Sequence, residues 1–172
     1  MQELLAVQHY PRSGPTPAHH AFGALKPVSP DYPTLPIDEG FSWSAALEPI
    51  NHGAWYLVVF RSMRKTTADT ALLTEYDDQA HREALEGDGL LFYFQGQLND
   101  RRECLSFCVW ENQERALAGA RGALHQAAVS ITAAMYDHYR LERYHIVKDG
   151  ATGVVRFAPA AHMAPGCPAA AT

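Results

Sequence analysis

Asp77 and His81 stand four residues apart, and this pair is the clearest starting point for chemistry in the chain. On a helix such side chains meet, so the carboxylate can orient the imidazole and hold it as a base or a ligand. His125 is expected beside an apolar helical stripe, next to Leu124, as an acid/base or an axial ligand. Both histidines also have a plainer reading: an exposed polar pair for the first, a packed helical side chain for the second. Arg61 follows a run of strand formers, and alternation puts it on the side of Trp55, Leu57 and Val59. A guanidinium buried there needs an anion, either a structural carboxylate such as Glu111 or a bound acid or enolate. Trp110 ends another strand on the face of Cys104, Ser106 and Cys108. Its indole either walls a pocket for a flat substrate or packs the core. Tyr93, Tyr136, Tyr139 and Tyr144 bring hydroxyls to the same region. Together these residues suit a site that takes an aromatic or enolic molecule and moves one proton. Arg61, Trp110, Tyr93 and Tyr136 would hold the substrate, while His81, Asp77 and His125 handle the proton.

Other chemistries lack their signatures. No Gly-rich phosphate loop, His-Glu-x-x-His pair or nucleophile elbow occurs, which argues against phosphoryl transfer, zinc proteolysis and serine hydrolysis. A net charge of -5 argues against nucleic acid or an anionic membrane as partner, because phosphate binding needs clustered Lys and Arg. The cysteines are Cys104, Cys108 and Cys167. The first two share a strand face about 13 Å apart at ~3.3 Å per residue, too far for a disulfide. No second ligand pair accompanies them, so no metal site is expected. Met1 to Val7 lacks a basic leader, and no run reaches the roughly 20 apolar residues of a membrane span, so the cytoplasm is the expected compartment.

The 172 residues allow one ordinary domain and an appendage, with 47% hydrophobic residues to build a core. Residues 1–53 read as a Pro-rich arm, 54–158 as the domain and 159–172 as a loose tail. The arm carries Pro11, Pro15, Pro17, Pro27, Pro30, Pro33 and Pro36, which forbid long helix or central strand, yet Phe22, Leu25, Tyr32, Leu35 and Ile37 recur through it. Phe41 to Leu47 reads as a short helical turn with Ser42 as cap. Trp55 to Phe60 is a dense β-former run. A helix capped by Thr67 or Asp69 runs to about Leu85, and strands follow at Leu90 to Gly96 and Cys104 to Trp110. A long helix is expected from about Asn112 to Arg140, weakened at Gly119 and Gly122, then a strand at Arg143 to Lys148. Asp149-Gly150 turns the chain toward a further strand at Val154 to Phe157. The order β-α-β-β-α-β is the ferredoxin-like unit of the α+β class. Its strands are apolar on both faces, so the face away from the helices needs a cover, either the arm or a partner sheet. A homodimer through the sheets, with the arm lapping over the join, is the expected arrangement.

The stretch Cys104-Leu105-Ser106-Phe107-Cys108-Val109-Trp110-Glu111-Asn112-Gln113-Glu114-Arg115-Ala116, with His125 beyond it, resembles the signature of the antibiotic-biosynthesis monooxygenase superfamily. That resemblance covers roughly residues 54 to 148 and implies the dimeric α+β barrel. Trp55-Tyr56-Leu57-Val58-Val59-Phe60-Arg61-Ser62, Ala80-His81-Arg82-Glu83-Ala84 and Tyr139-Arg140-Leu141-Glu142-Arg143-Tyr144 are similar to a family of uncharacterised fungal and bacterial proteins, over nearly the whole chain from Phe41. The superfamily also holds haem proteins and plain binders. Three expectations follow: a cofactor-free oxidation or rearrangement of a small-molecule substrate, haem binding through His125 or His81, or a non-catalytic dimer that binds a metabolite or a partner. In haem-degrading members the ligand falls about one turn after His125, where this chain has Ala128 and Val129.

Overall fold

The computed structural model describes residues 14–160. The expectations placed on Met1 to Val7, Pro11, Cys167 and the tail beyond Ala160 fall outside the described residues.

β1, Gly53–Arg64, is the central strand, and it outruns the Trp55-to-Phe60 core by several residues at its end. α4, Thr70–Glu86, follows; its N-cap is Asp69, whose carboxylate accepts from Leu72 N–H. (Among the described residues three short helices precede β1: α1, Pro17–Gly23; α2, Ile37–Gly40; and α3, Trp43–Ala46.) Next come β2, Leu90–Phe94, and β3, Glu103–Trp110. The sheet is completed by β4, Tyr136–Lys148, and β5, Val155–Pro159, in the order β2-β3-β1-β4-β5 with every pairing antiparallel. The first four strands in this order, with helical crossovers after β1 and β3, make the ferredoxin-like fold. Pro159 belongs to β5, and Ala160 N–H donates to the Arg143 carbonyl, so the stretch expected to open the tail still pairs with the sheet.

The long second helix expected to Arg140 does not form. In its place are α5, Gln113–Gly119; α6, Ala123–Ser130; and α7, Thr132–Met135. Gly122 is the N-cap of α6, in extended backbone, and the glycines break what the apolar stripe alone would have continued. From Tyr136 the chain is strand, because the far end of β1 offers its open edge there. Met63 pairs with His138, and Arg64 pairs with Tyr136 across a bulge.

The two sheet faces have different covers. Leu57, Val59, Leu105, Phe107, Val109 and Ile146 form one buried layer, and Phe22, Leu25, Ile37, Phe41, Trp43 and Leu47 of the arm lie on it. Phe41 sits edge-on to Phe94 and Phe107 with centroids 4.9 Å from each. The Trp43 indole N–H donates to the Ile37 carbonyl at 2.7 Å, which satisfies its buried donor. Lys148, also buried, gives its ammonium to the Leu47 and Glu48 carbonyls. The face expected to meet a partner sheet is therefore covered by the chain itself. The arm achieves this because its aromatic residues recur between prolines, giving short helices and turns that follow a flat surface. Among the described residues no helix is long and apolar enough to cross a membrane.

Candidate functional site

A cavity of about 250 Å³ lies on the opposite face, between the sheet and helices α4 to α7. Its floor is the other alternation of β1, namely Tyr56, Val58, Phe60, Ser62 and Arg64, with Cys104, Ser106, Cys108 and Trp110 of β3 beside it. Tyr76, Asp77, Ala80 and His81 of α4 form one wall, and His125, Ala128 and Val129 of α6 form another. Two β-bulges aim side chains into it. In β2 the pairing slips between Leu90 and Phe92, so Leu90 and Tyr93 face the cavity while Leu91, Phe92 and Phe94 join the arm-side core. In β4 the slip at Arg64 leaves Asp137 as the extra residue. Tyr136 and Tyr139 then both reach the cavity side, with rings 5.3 Å apart.

Six of the seven residues given a role from the sequence line this one cavity: Asp77, His81, Tyr93, Trp110, His125 and Tyr136; Tyr144, expected nearby, instead packs on the arm side and donates to Glu142. Tyr93 donates to both Asp77 carboxylate oxygens, at 2.8 and 2.9 Å, and Gln95 Nε2 donates to Oδ2 at 2.9 Å. Asp77 is thus bound to β2 and the residue just after it, and the His81 ring packs on Tyr93 with centroids 4.8 Å apart. Burial raises the Asp77 carboxyl above its ordinary value, against the opposing pull of the Tyr93 hydrogen bond. Burial likewise pushes up the Tyr93 and Tyr136 hydroxyls and the Cys104 and Cys108 thiols, which therefore keep their protons at neutral pH. His125 moves the other way: burial lowers it, with Glu83 partly opposing, so its imidazole is neutral at neutral pH. Glu83 reaches from α4 to the start of α6, accepting from Leu124 N–H at 3.1 Å and His125 N–H at 2.8 Å. It thereby caps the helix that carries His125. Trp110 packs against Gly119, where a Cβ would stand 2.6 Å from its ring, so only glycine lets the indole lie this close to α5.

Arg61 is the exception, and its expected role as substrate holder is corrected. It lies on the arm side, as alternation required, but each of its three guanidinium nitrogens already has a partner. Nε donates to Glu142 at 2.9 Å, and the two terminal nitrogens donate to the Pro33 and Leu35 carbonyls at 2.7 Å each. The partner is structural, though it is Glu142 and not Glu111. Arginines do line the cavity, at Arg64 and Arg143. Ser62 and Arg64 lie beyond the Trp55-to-Phe60 run of strand formers, in the last residues of β1. Simple continuation of the Tyr56, Val58, Phe60 alternation would have found both.

The two histidines expected as haem ligands, His81 and His125, both line the cavity. Its volume of about 250 Å³ falls just below the ~300–1,000 Å³ usual for ligand pockets. Ala128 and Val129, one turn past His125, line it without a ligating atom.

Comparison with solved structures finds likeness over about half of the chain. A conserved protein from Methanosarcina mazei Go1 is 13% identical with a TM-score of 0.47, covering 52% of this chain and 90% of that one. SnoaB, a cofactor-independent oxygenase from Streptomyces nogalater, is 8% identical with a TM-score of 0.43, covering 53% and 90%. A dimeric ferredoxin-like protein of unknown function from Thermobifida fusca is 14% identical with a TM-score of 0.44, covering 53% and 90%. No curated protein matches. The model of one family spans arm and sheet alike, residues 8–159, and the chain belongs to that PB2B2.08-like family.

Proposed function

We propose that this protein is a small-molecule enzyme of the antibiotic-biosynthesis monooxygenase type, which oxidises an aromatic or enolic substrate with no bound metal. The observation that carries this reading is the cavity itself. It places a neutral imidazole and a buried Tyr–Asp pair around a floor of Val58, Phe60 and Trp110. A flat apolar ring is complementary to that floor. His125 accepts the substrate's hydroxyl proton, since burial keeps its imidazole unprotonated. The resulting carbanion-like ring carbon bonds to one atom of dioxygen, and the peroxide formed takes a proton back. Loss of water, from the carbon's hydrogen and the distal OH, then leaves a carbonyl. One oxygen atom enters the product and the other enters water. Tyr93, fixed by Asp77, and His81 against it shape the wall that orients the ring.

Oxygen uptake against a panel of phenols and enols tests this reading. Turnover should occur with at least one of them and fall at least 100-fold in His125→Gln, within the ~10²–10⁴ contributed by a general base. Binding without uptake anywhere in the panel would make the protein a binder and sink the proposal. A homodimer stays within this reading, but through a surface other than the arm-covered sheet. Val129, Tyr139 and Leu141 remain exposed beside the cavity. Light scattering that returns the monomer mass would remove the dimer.

A further inference from the structure

We infer that the cavity takes an anionic aromatic compound whose acidic group seats on Arg64, at the bulged end of β1 and β4. This rests on the proposed small-molecule site and names the class of its substrate.

Arg64 lines the cavity, and its Nε is buried without a hydrogen-bond partner. It makes no ion pair among the described residues, whereas Arg61, three positions earlier on the other face, has a partner at each of its three nitrogens. Such a guanidinium donor is costly to leave unpaired, which marks the place where a partner is to be supplied. The acidic side chains nearby are already committed. Asp137, the extra residue of the bulge opposite Arg64, pairs with Arg102 at 3.2 Å. Arg102 is fixed in that position by a left-handed backbone (φ 63) and by donating to the Arg64 carbonyl. Asp77, across the cavity, is held by Tyr93 and Gln95.

The two titratable groups that feel Arg64 on the cavity side are themselves neutral. The Cys104 thiol and the Tyr136 hydroxyl both feel its charge, and burial keeps both protonated. The bulge that turns Asp137 outward also turns Tyr136 inward, so one irregularity removes a competing carboxylate and adds a hydroxyl donor. A planar oxyanion on a ring meets there a fork of N–H donors and a phenol, with Phe60 and Val58 beneath the ring. The second cavity arginine, Arg143, acts on the Tyr56 hydroxyl, which neighbours Trp110 in the register, so it serves the far end.

The test uses 1-hydroxy-2-naphthoate and its neutral amide, 1-hydroxy-2-naphthamide, titrated into the full chain by calorimetry at constant salt. Wild type should bind the acid more tightly than the amide. Arg64→Gln should weaken the acid roughly 30-fold or more while leaving the amide unchanged, as for loss of one side of a buried charge pair. Arg64→Lys should keep part of the preference, and Arg143→Gln should keep all of it. A thermal melt of each variant confirms that it is folded. Equal binding of acid and amide by wild type, or a preference that survives Arg64→Gln, would overturn the inference while leaving an uncharged-substrate enzyme standing. Failure of both compounds to bind would overturn it too, and if oxygen uptake with another phenol persists, the proposed function survives alone.

Discussion

Replacing Arg61 by Met should loosen the arm and leave the cavity untouched. The size of the effect follows from the contacts. Breaking a buried ion pair by deleting one partner costs ~3–5 kcal/mol. Here Arg61 is 20% exposed and Glu142 9%, so the pair is only partly desolvated. Glu142 also keeps two other partners, Arg140 at 2.9 Å and the Tyr144 hydroxyl at 3.0 Å. Those remaining contacts reduce the pair's share to about 1–2 kcal/mol. The Pro33 and Leu35 carbonyls lose charge-assisted donors, adding roughly 1–2 kcal/mol, since water can replace part of each bond. The sum is about 2–4 kcal/mol, or a fall in Tm of roughly 5–15 °C for a chain of this size. Denaturant melts of Arg61→Met, Glu142→Gln and the double variant would give the pair's coupling. Limited proteolysis should show cleavage near Pro33 rising in step. A loss below about 0.5 kcal/mol, or weaker binding of a cavity ligand with stability unchanged, would refute the assignment of Arg61 as the pin of the arm.

Asp77→Asn should stabilise the protein at neutral pH. A carboxyl raised on folding is destabilising when charged, so wild type gains stability as pH falls through the raised value, and the gap to the variant closes below about 4. His125 has the opposite sense among bases: lowered on folding, it costs stability as pH drops below its ordinary value near 6.5, so His125→Gln should lose less on acidification, as pH-resolved melts would show. Gly119→Ala should push the Trp110 indole out of place, costing about 1–3 kcal/mol and weakening aromatic ligands in the same titrations. Glu83→Gln should fray the start of α6, seen as faster amide exchange at Leu124 and His125.

The ferredoxin-like order was legible because each strand carries its own β-former run and each turn its own breakers. Asp69 as cap and Gly87 as stop of α4 were written in the sequence for the same reason. The end of the second helix was not, since Ala127 to Met135 favours helix and the switch at Tyr136 is decided by the open edge of β1, a tertiary effect. Apolar strands on both faces correctly demanded two covers. They did not say that the second would be Phe22, Ile37, Phe41 and Trp43 of the same chain, because a hydrophobic face does not encode whose residues cover it. The cavity residues emerged from simple alternation wherever the ladder was regular. Leu91 and Asp137, the extra residues of the bulges, broke that rule, and no residue type announced either one.

The arm's place on the sheet has a consequence for the newly made chain. Phe22, Ile37, Phe41 and Trp43 leave the ribosome ahead of every strand they cover, and Ile146 of their core comes roughly 120 residues after Phe22. At ~5–20 residues per second, the arm's aromatic surface waits about 6–24 s for its platform. During that interval it is an adhesive segment, and the seven prolines among residues 10–40 keep it from pairing as a strand with a neighbouring nascent chain. Those from Pro15 onward, which shape the cover in the folded protein, thus also act as gatekeepers during synthesis. Substituting several of them for residues that tolerate strand would show its cost in soluble yield before any change in the stability of molecules that succeed in folding.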